Sequence, residues 1–315
     1  MSPGSARPWL RWSTCLGVVA FSWLSFGPLP PAAAYVRTLA SGSGLPLTWR
    51  QPCVGLEVLV GSTPASVSSD LFRQATNEAA AAWSSSRVAC TKMSVTVVAS
   101  PASKGFVEAD RVNKVQFLTG SFWGRTARDE VDRLPYPSNA LAITSVFADR
   151  NTGQIVDTDI EINGTGPSWA DLVANPDLRR SSNTHDLQNT LTHELGHVVG
   201  LDHTCDGGGQ VNLTDHRGNT VPPCPGPPEV QETTMAAIVA PGDTERRSLA
   251  ADDREAVCAV YPDDGKSACG SDDSGFLGGC SYGATPKTPA FFLFVLGAAA
   301  LGGSRRCRRR KQRRV

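Results

Sequence analysis

Hydrophobic and polar positions along this chain fall into short blocks with two different periods. VGLEVLV (54–60), MSVTVVAS (93–100), VNKVQFL (112–118) and LAITSVFA (141–148) are apolar runs of strand length, rich in β-branched residues, and predict β-strands. GQIVDTDIEIN (153–163) follows the turn DRNTG and sets Asp157, Asp159, Glu161 and Asn163 in alternation with Thr158, Ile160 and Ile162. That alternation predicts a strand with a solvated acidic face. The helical period appears in SSDLFRQATNEAAAAWSSS (68–86), with a Ser/Asp start, an Ala-rich middle and a polar stop. It appears again in NTHDLQNTLTHELGHVVG, where a helix is expected to start at the Asn183/Thr184 caps, carry Leu187, Leu191 and Leu195 as its apolar stripe, and end at Gly200. Strand, helix, strands and then a helix, with no internal repeat, predict an α+β domain built on one mixed sheet.

The ends read differently from the middle. Arg7 and Arg11, the apolar run Leu16–Phe26 and the small-residue site ending at Ala34 have the order of a secretory signal, so residues 1–34 are expected to be removed and the mature chain to begin near Tyr35. The domain then spans 35–262. Residues 263–289 are rich in Gly, Ser and Asp, as a linker is, and contain Gly278-Gly279-Cys280-Ser281. Residues 290–315 join AFFLFVLGAAALGG to an arginine-rich end; fourteen apolar residues fall short of the roughly 20 a membrane helix needs. This tail resembles the C-terminal sorting signals of myxobacterial surface proteins. The resemblance implies cleavage near Cys280 and attachment of the mature protein to the outer surface, with contact to the membrane through the tail or through lipid at Cys280; the other reading is a permanent single-span anchor.

Composition narrows the partners. Of 30 basic residues, eight lie in 305–315 and two are Arg7 and Arg11, which leaves 20 against 30 acidic residues in the body. A body that acidic argues against a nucleic-acid partner, and a monomer is expected. Nine cysteines in an exported chain point to disulfides. With Cys15, Cys280 and Cys307 set aside, order along the chain favours Cys53 with Cys90, Cys205 with Cys224 and Cys258 with Cys269. No CxxC pair exists, so a zinc ribbon is not expected.

The chain has five histidines, and three of them, with one glutamate, lie in THELGHVVGLDH (192–203). His193 and His197, four apart, project from one helix face and can share a metal ion. Gly200 permits a sharp turn, after which His203 can return as third ligand. Three imidazoles leave one zinc position open, the arrangement of a catalytic rather than a structural site. Glu194, beside the first ligand, is expected to take a proton from the zinc-bound water and pass it to a leaving amine. By average residue frequencies the full spacing arises by chance in on the order of one chain in 10⁵.

H-E-x-x-H-x-x-G-x-x-H at 193–203 resembles the metzincin metalloproteases, and Thr204 after the third histidine is most similar to the matrixin group. The resemblance implies a zincin-like domain with a twisted mixed sheet, an active-site helix and a C-terminal helix at SLAADDREAVCAVYP (248–262). It implies one catalytic Zn²⁺ and a Met-turn beginning at TTM (233–235), with Met235 as a hydrophobic floor under the metal. It further implies endopeptidase activity on extended polypeptides laid along the edge strand near 141–148. Segment 141–183 contains no histidine, which departs from the animal matrixins and predicts no second zinc. Asp157, Asp159 and Glu161 could instead bind Ca²⁺. QPCVG (51–55) bears a faint likeness to the family's cysteine switch, but a disulfide from Cys53 is the expected state. The stretch between His203 and Met235 is long for the family and is expected to form a loop stapled by Cys205 and Cys224 at the cleft rim, with His216 solvent-exposed; His185 is expected to be structural. A second class stays open, a surface adhesion protein on a retired protease fold, although Glu194 would then serve no purpose.

Overall fold

The computed structural model describes residues 34–207, 213–266 and 269, and the backbone alone of 291–299. The expected secretory signal, as far as residue 33, the Cys280 motif and the basic end lie outside the described residues. Among the described residues, seven strands form the central sheet: β1 (Thr48–Trp49), β2 (Cys53–Leu59), β3 (Ser94–Ser100), β4 (Asn113–Leu118), β5 (Ala140–Asp149), β6 (Gln154–Asn163) and β7 (Phe291–Ala299). Their order is β7-β5-β6-β4-β2-β3, with β1 added to the start of β6. β6, β4, β2 and β3 run parallel, whereas β5 is antiparallel to β6 and β7 to β5. The chain is thus mixed α/β with a mostly parallel sheet, in keeping with the α+β expectation.

Three helices matter for the site: α1 (Ser69–Trp83), α2 (Leu187–Val198) and α3 (Ala251–Val260). Ser68 caps α1 by accepting the N–H of Leu71 at 3.1 Å. The alanines of α1 let α2 approach closely, and Trp83 seals the contact by donating its indole N–H to the Thr192 carbonyl at 2.7 Å. One core joins both helices to a single face of the sheet: Phe72, Ala79 and Trp83 of α1 and Leu187, Leu191 and Leu195 of α2 meet Leu56, Val58, Phe117, Ile160 and Ile162. Each large side chain buried there contributes about 1.5–3 kcal/mol. The start of α2 differs from the expectation. Thr184–Asp186 is a short strand paired with Ser168–Ala170, and Asp186 rather than Asn183 or Thr184 is the cap, accepting the Asn189 N–H at 2.9 Å. Strand pairing takes the extended backbone that the earlier caps would have used.

The acidic face of β6 is not solvated. Asp157, Asp159 and Glu161 are buried because the segment 105–136 folds over them and supplies donors. Asp157 accepts the Arg111 N–H at 2.6 Å; Asp159 accepts the N–H groups of Glu108 and Lys114 at 3.1 and 3.0 Å. Glu161 accepts from Thr126 Oγ1, Gln116 Nε2 and Tyr136 Oη at 2.5, 3.1 and 2.7 Å. Burial pushes the Asp159 carboxyl up, against the pull of Lys114. These carboxylates hold the covering loop in place, a use that alternation along one strand cannot distinguish from hydration.

Two of the three expected disulfides are re-paired. Cys205–Cys224 forms as expected, but Cys53 bonds Cys269 and Cys90 bonds Cys258, with Cα–Cα distances of 5.2 and 5.3 Å. The turn carrying Cys90 packs on the end of α3, where Lys92 N donates to the Tyr261 carbonyl at 2.9 Å, so Cys258 is its neighbour in space. Cys53, tied up in a disulfide, is no free thiol switch. The body also runs past Pro262: Lys92 pairs with Asp264 at 3.0 Å and the chain is fastened at Cys269. Three disulfides belong to an oxidising compartment. No helix among the described residues is long and apolar enough to cross a membrane.

Candidate metal centre

α2 is buried on nearly every side, so each polar residue on it must find a partner inside the protein. His193 and His197 lie one turn apart, both buried. After Val198 the chain turns at Gly200, whose φ is +88° and whose Cβ, if present, would lie 2.4 Å from the Leu47 carbonyl oxygen. Only glycine meets both conditions without strain. Leu201–Asp202 then pairs antiparallel with Val36–Arg37, and His203 returns to the helix.

The three imidazoles converge. His203 Nε2 stands 3.2 Å from His193 Nε2 and 3.2 Å from His197 Nε2. Two nitrogens each about 2.0–2.1 Å from a shared tetrahedral ion stand about 3.3–3.4 Å apart, so this spacing suits one metal ion. Backbone acceptors set the tautomers. His193 Nδ1 lies 2.8 Å from the Thr234 carbonyl and His197 Nδ1 2.8 Å from the Leu201 carbonyl. A carbonyl only accepts, so each Nδ1 carries the proton and each Nε2 presents its lone pair to the centre. Burial, reinforced for His193 and His197 by the neighbouring rings, holds the imidazoles neutral, the form able to ligate a metal: His193 is lowered well below its ordinary value, His197 to about 3 and His203 to about 4. Among the described residues, these three form the group of metal-ligating side chains whose donor atoms converge.

Glu194 is buried next to His193 in the chain, and Thr144 Oγ1 on β5 donates to its Oε2 at 2.6 Å. Sequence reasoning had no signal for Thr144, which lies fifty residues away on the strand packed against α2. The turn holding Met235 is pinned from three sides. Thr204 N donates to the Met235 carbonyl at 3.1 Å. Asp253 of α3 accepts the Thr234 N–H at 2.8 Å, which sets the carbonyl that orients His193. Arg246 donates to the carbonyls of Thr233, Gln231 and Ile238 at 3.0, 2.8 and 3.1 Å. Met235 is buried against α2 at Gly196, where an added Cβ would lie 2.1 Å from its Sδ. Gly196, inside the histidine motif, was not singled out in the sequence; its role is to admit the methionine.

Two other histidines stand apart from the centre. His185 is buried next to Trp169, with ring centroids 6.1 Å apart. His216 is exposed along its backbone, but its ring is not free: it stacks on Tyr35 at 3.8 Å between centroids and reaches Glu255 at 3.5 Å. The expected solvent-facing imidazole is therefore a packing contact between the disulfide loop and the start of the described chain. That loop also lays Cys205 against Val230 and Ala237, just after Met235.

No protein-family model matches the chain, and no curated protein matches it either. Function therefore has to be read from the site itself.

Proposed function

We propose that the protein is a zinc-dependent endopeptidase of the metzincin kind, exported and displayed at the cell surface through its C-terminal tail. The observation that carries this reading is the convergence of three neutral Nε2 donors next to Glu194, a carboxylate one residue from the first ligand and held by Thr144. Nitrogen donors in a three-ligand set suit zinc, which supplies Lewis acidity and lowers the pKa of a coordinated water to about 7. His193, His197 and His203 would hold the ion, with Thr234 and Leu201 fixing the ring orientations from outside. Glu194 is the group able to accept a proton from the attacking water and return it to the leaving amine. Met235 packs on the same helix at Gly196, which lies between the two histidines in the chain, with a side chain that neither donates nor titrates. The helix, the turn at Gly200 and the pinned Met235 turn support the zincin-like architecture that the sequence motif suggests. An extended polypeptide would pair by its main chain with the edge of β5, the strand that carries Thr144, in the place that β7 occupies in this structure.

The test is zinc stoichiometry by elemental analysis, together with digestion of a peptide library with and without a chelator. Glu194→Ala should retain zinc and lose about 10²–10⁴-fold in turnover. His197→Ala should lose the metal. Full activity in Glu194→Ala, or a zinc-loaded protein that cleaves no peptide in any form, would show the site to be a binding centre instead.

A further inference from the structure

β5 was expected to be the edge strand, and in this structure it is not: β7 covers it. Nine residues of the C-terminal segment pair antiparallel with β5, from Phe291 opposite Asp149 to Ala299 opposite Ala140, with one irregularity between Ala298 and Ala299. The register sets Leu296 opposite Thr144, whose hydroxyl holds Glu194. We infer that this segment occupies the strand edge on which an extended polypeptide would pair, and so holds the uncut chain inactive. The inference rests on the peptidase reading and adds to it a means of control.

A strand edge offers one row of N–H and C=O groups, and a row already paired cannot take a second strand. The segment is suited to the place. FFLFVLGAA has no charge and no proline, a composition that pairs readily and is an aggregation hazard when left free. It is also tethered. Residues 270–290 join it to Cys269, itself fastened to Cys53, and a stretch of that length reaches on the order of 70 Å when extended. A covalent tether of this length gives an effective concentration of about 1 mM, so a free peptide of equal pairing strength at about 10 μM competes at roughly a hundredfold disadvantage. Hydrolysis of one peptide bond within 270–290, consuming one water, would end the tether and leave all three disulfides of the body intact. Activation would then coincide with removal of the tail.

The experiment uses the full chain with a recognition site for a sequence-specific protease placed in residues 282–287. Hydrogen exchange is followed at the amides of 140–149, and peptide cleavage is measured before and after the cut and removal of the tail in mild detergent. A second variant, Phe294→Pro with Leu296→Pro, breaks the pairing without any cut. Expected is slow exchange at 140–149 in the intact chain, fast exchange at alternate positions after cutting or in the proline variant, and a rise in cleavage of about tenfold or more in both. Equal exchange in all forms overturns the inference whatever the activity. Equal cleavage by intact and cut chains overturns the control while leaving the peptidase reading standing. Exposed β5 amides with no cleavage by any form overturn the peptidase reading and the inhibitory role together.

Discussion

Thr144 Oγ1 and Glu194 Oε2 lie 2.6 Å apart, a hydrogen bond that ties the centre of β5 to the helix bearing His193 and His197. It is the contact through which the strand proposed to pair with substrate also touches the proposed base. Thr144 is a positioning residue, and Thr144→Val, which keeps the volume and removes the donor, should lower kcat by about tenfold or more, since a hydrogen bond to a charged group is worth about 1.5–3 kcal/mol. Zinc content should not change, and Thr144→Ser should restore most of the rate. A valine variant with unaltered kcat would leave the contact a packing detail.

The neutral histidines have a measurable signature. With the folded-state values of His197 and His203 lowered to about 3 and about 4, nitrogen NMR of the metal-free protein should show both rings neutral throughout pH 5–7. In the unfolded chain the same rings take up protons near 6.5. The unfolded state then binds more protons below that pH, so the contribution of these rings to stability is complete above 6.5 and is lost as pH falls toward 4 and then 3. Buried Asp159, shifted in the opposite direction, works against this trend in a bulk unfolding curve, which is why the site-resolved measurement is the one to make. Rings that protonate near pH 6.5 in the folded protein would contradict the buried cluster.

Gly196→Ala separates local preference from packing. In an exposed helix the change would stabilise by about 1 kcal/mol. Here the new Cβ would meet Met235 Sδ at 2.1 Å and Trp83 Cζ2 at 3.0 Å, both on buried side chains, and overpacking of this kind costs about 1–3 kcal/mol. A lower Tm and a disturbed metal affinity are expected. A higher Tm would mean that Met235 moves aside without cost.

Peptide mapping of the unreduced protein should recover Cys53 with Cys269, Cys90 with Cys258 and Cys205 with Cys224. Replacing Cys90 and Cys258 together by alanine should cost about 2–5 kcal/mol in denaturant unfolding, because that bridge closes a long stretch of chain. Recovery of Cys53 with Cys90 would refute the arrangement of α3 against the turn after α1.

The sequence by itself determined the elements and the candidate ligands. Local periodicity placed α1, α2 and the main strands to within a few residues, since a core-facing stripe must repeat with the period of its own backbone. The spacing of His193, His197, Gly200 and His203 was legible for the same reason: those four residues belong to one helix and the turn that ends it, so their geometry is set over eleven positions of chain. Contacts between distant segments were not legible. Thr144 reaches Glu194, Asp253 sets Thr234 and Gly196 admits Met235 only because separate elements share one core, and no local pattern encodes which elements become neighbours. The same cause re-paired two disulfides, buried the acidic face of β6 under the segment 105–136 and laid Phe291–Ala299 along β5. A strand face reads alike whether water or another part of the chain covers it, and an apolar run does not name the edge it will join; tertiary packing decided both.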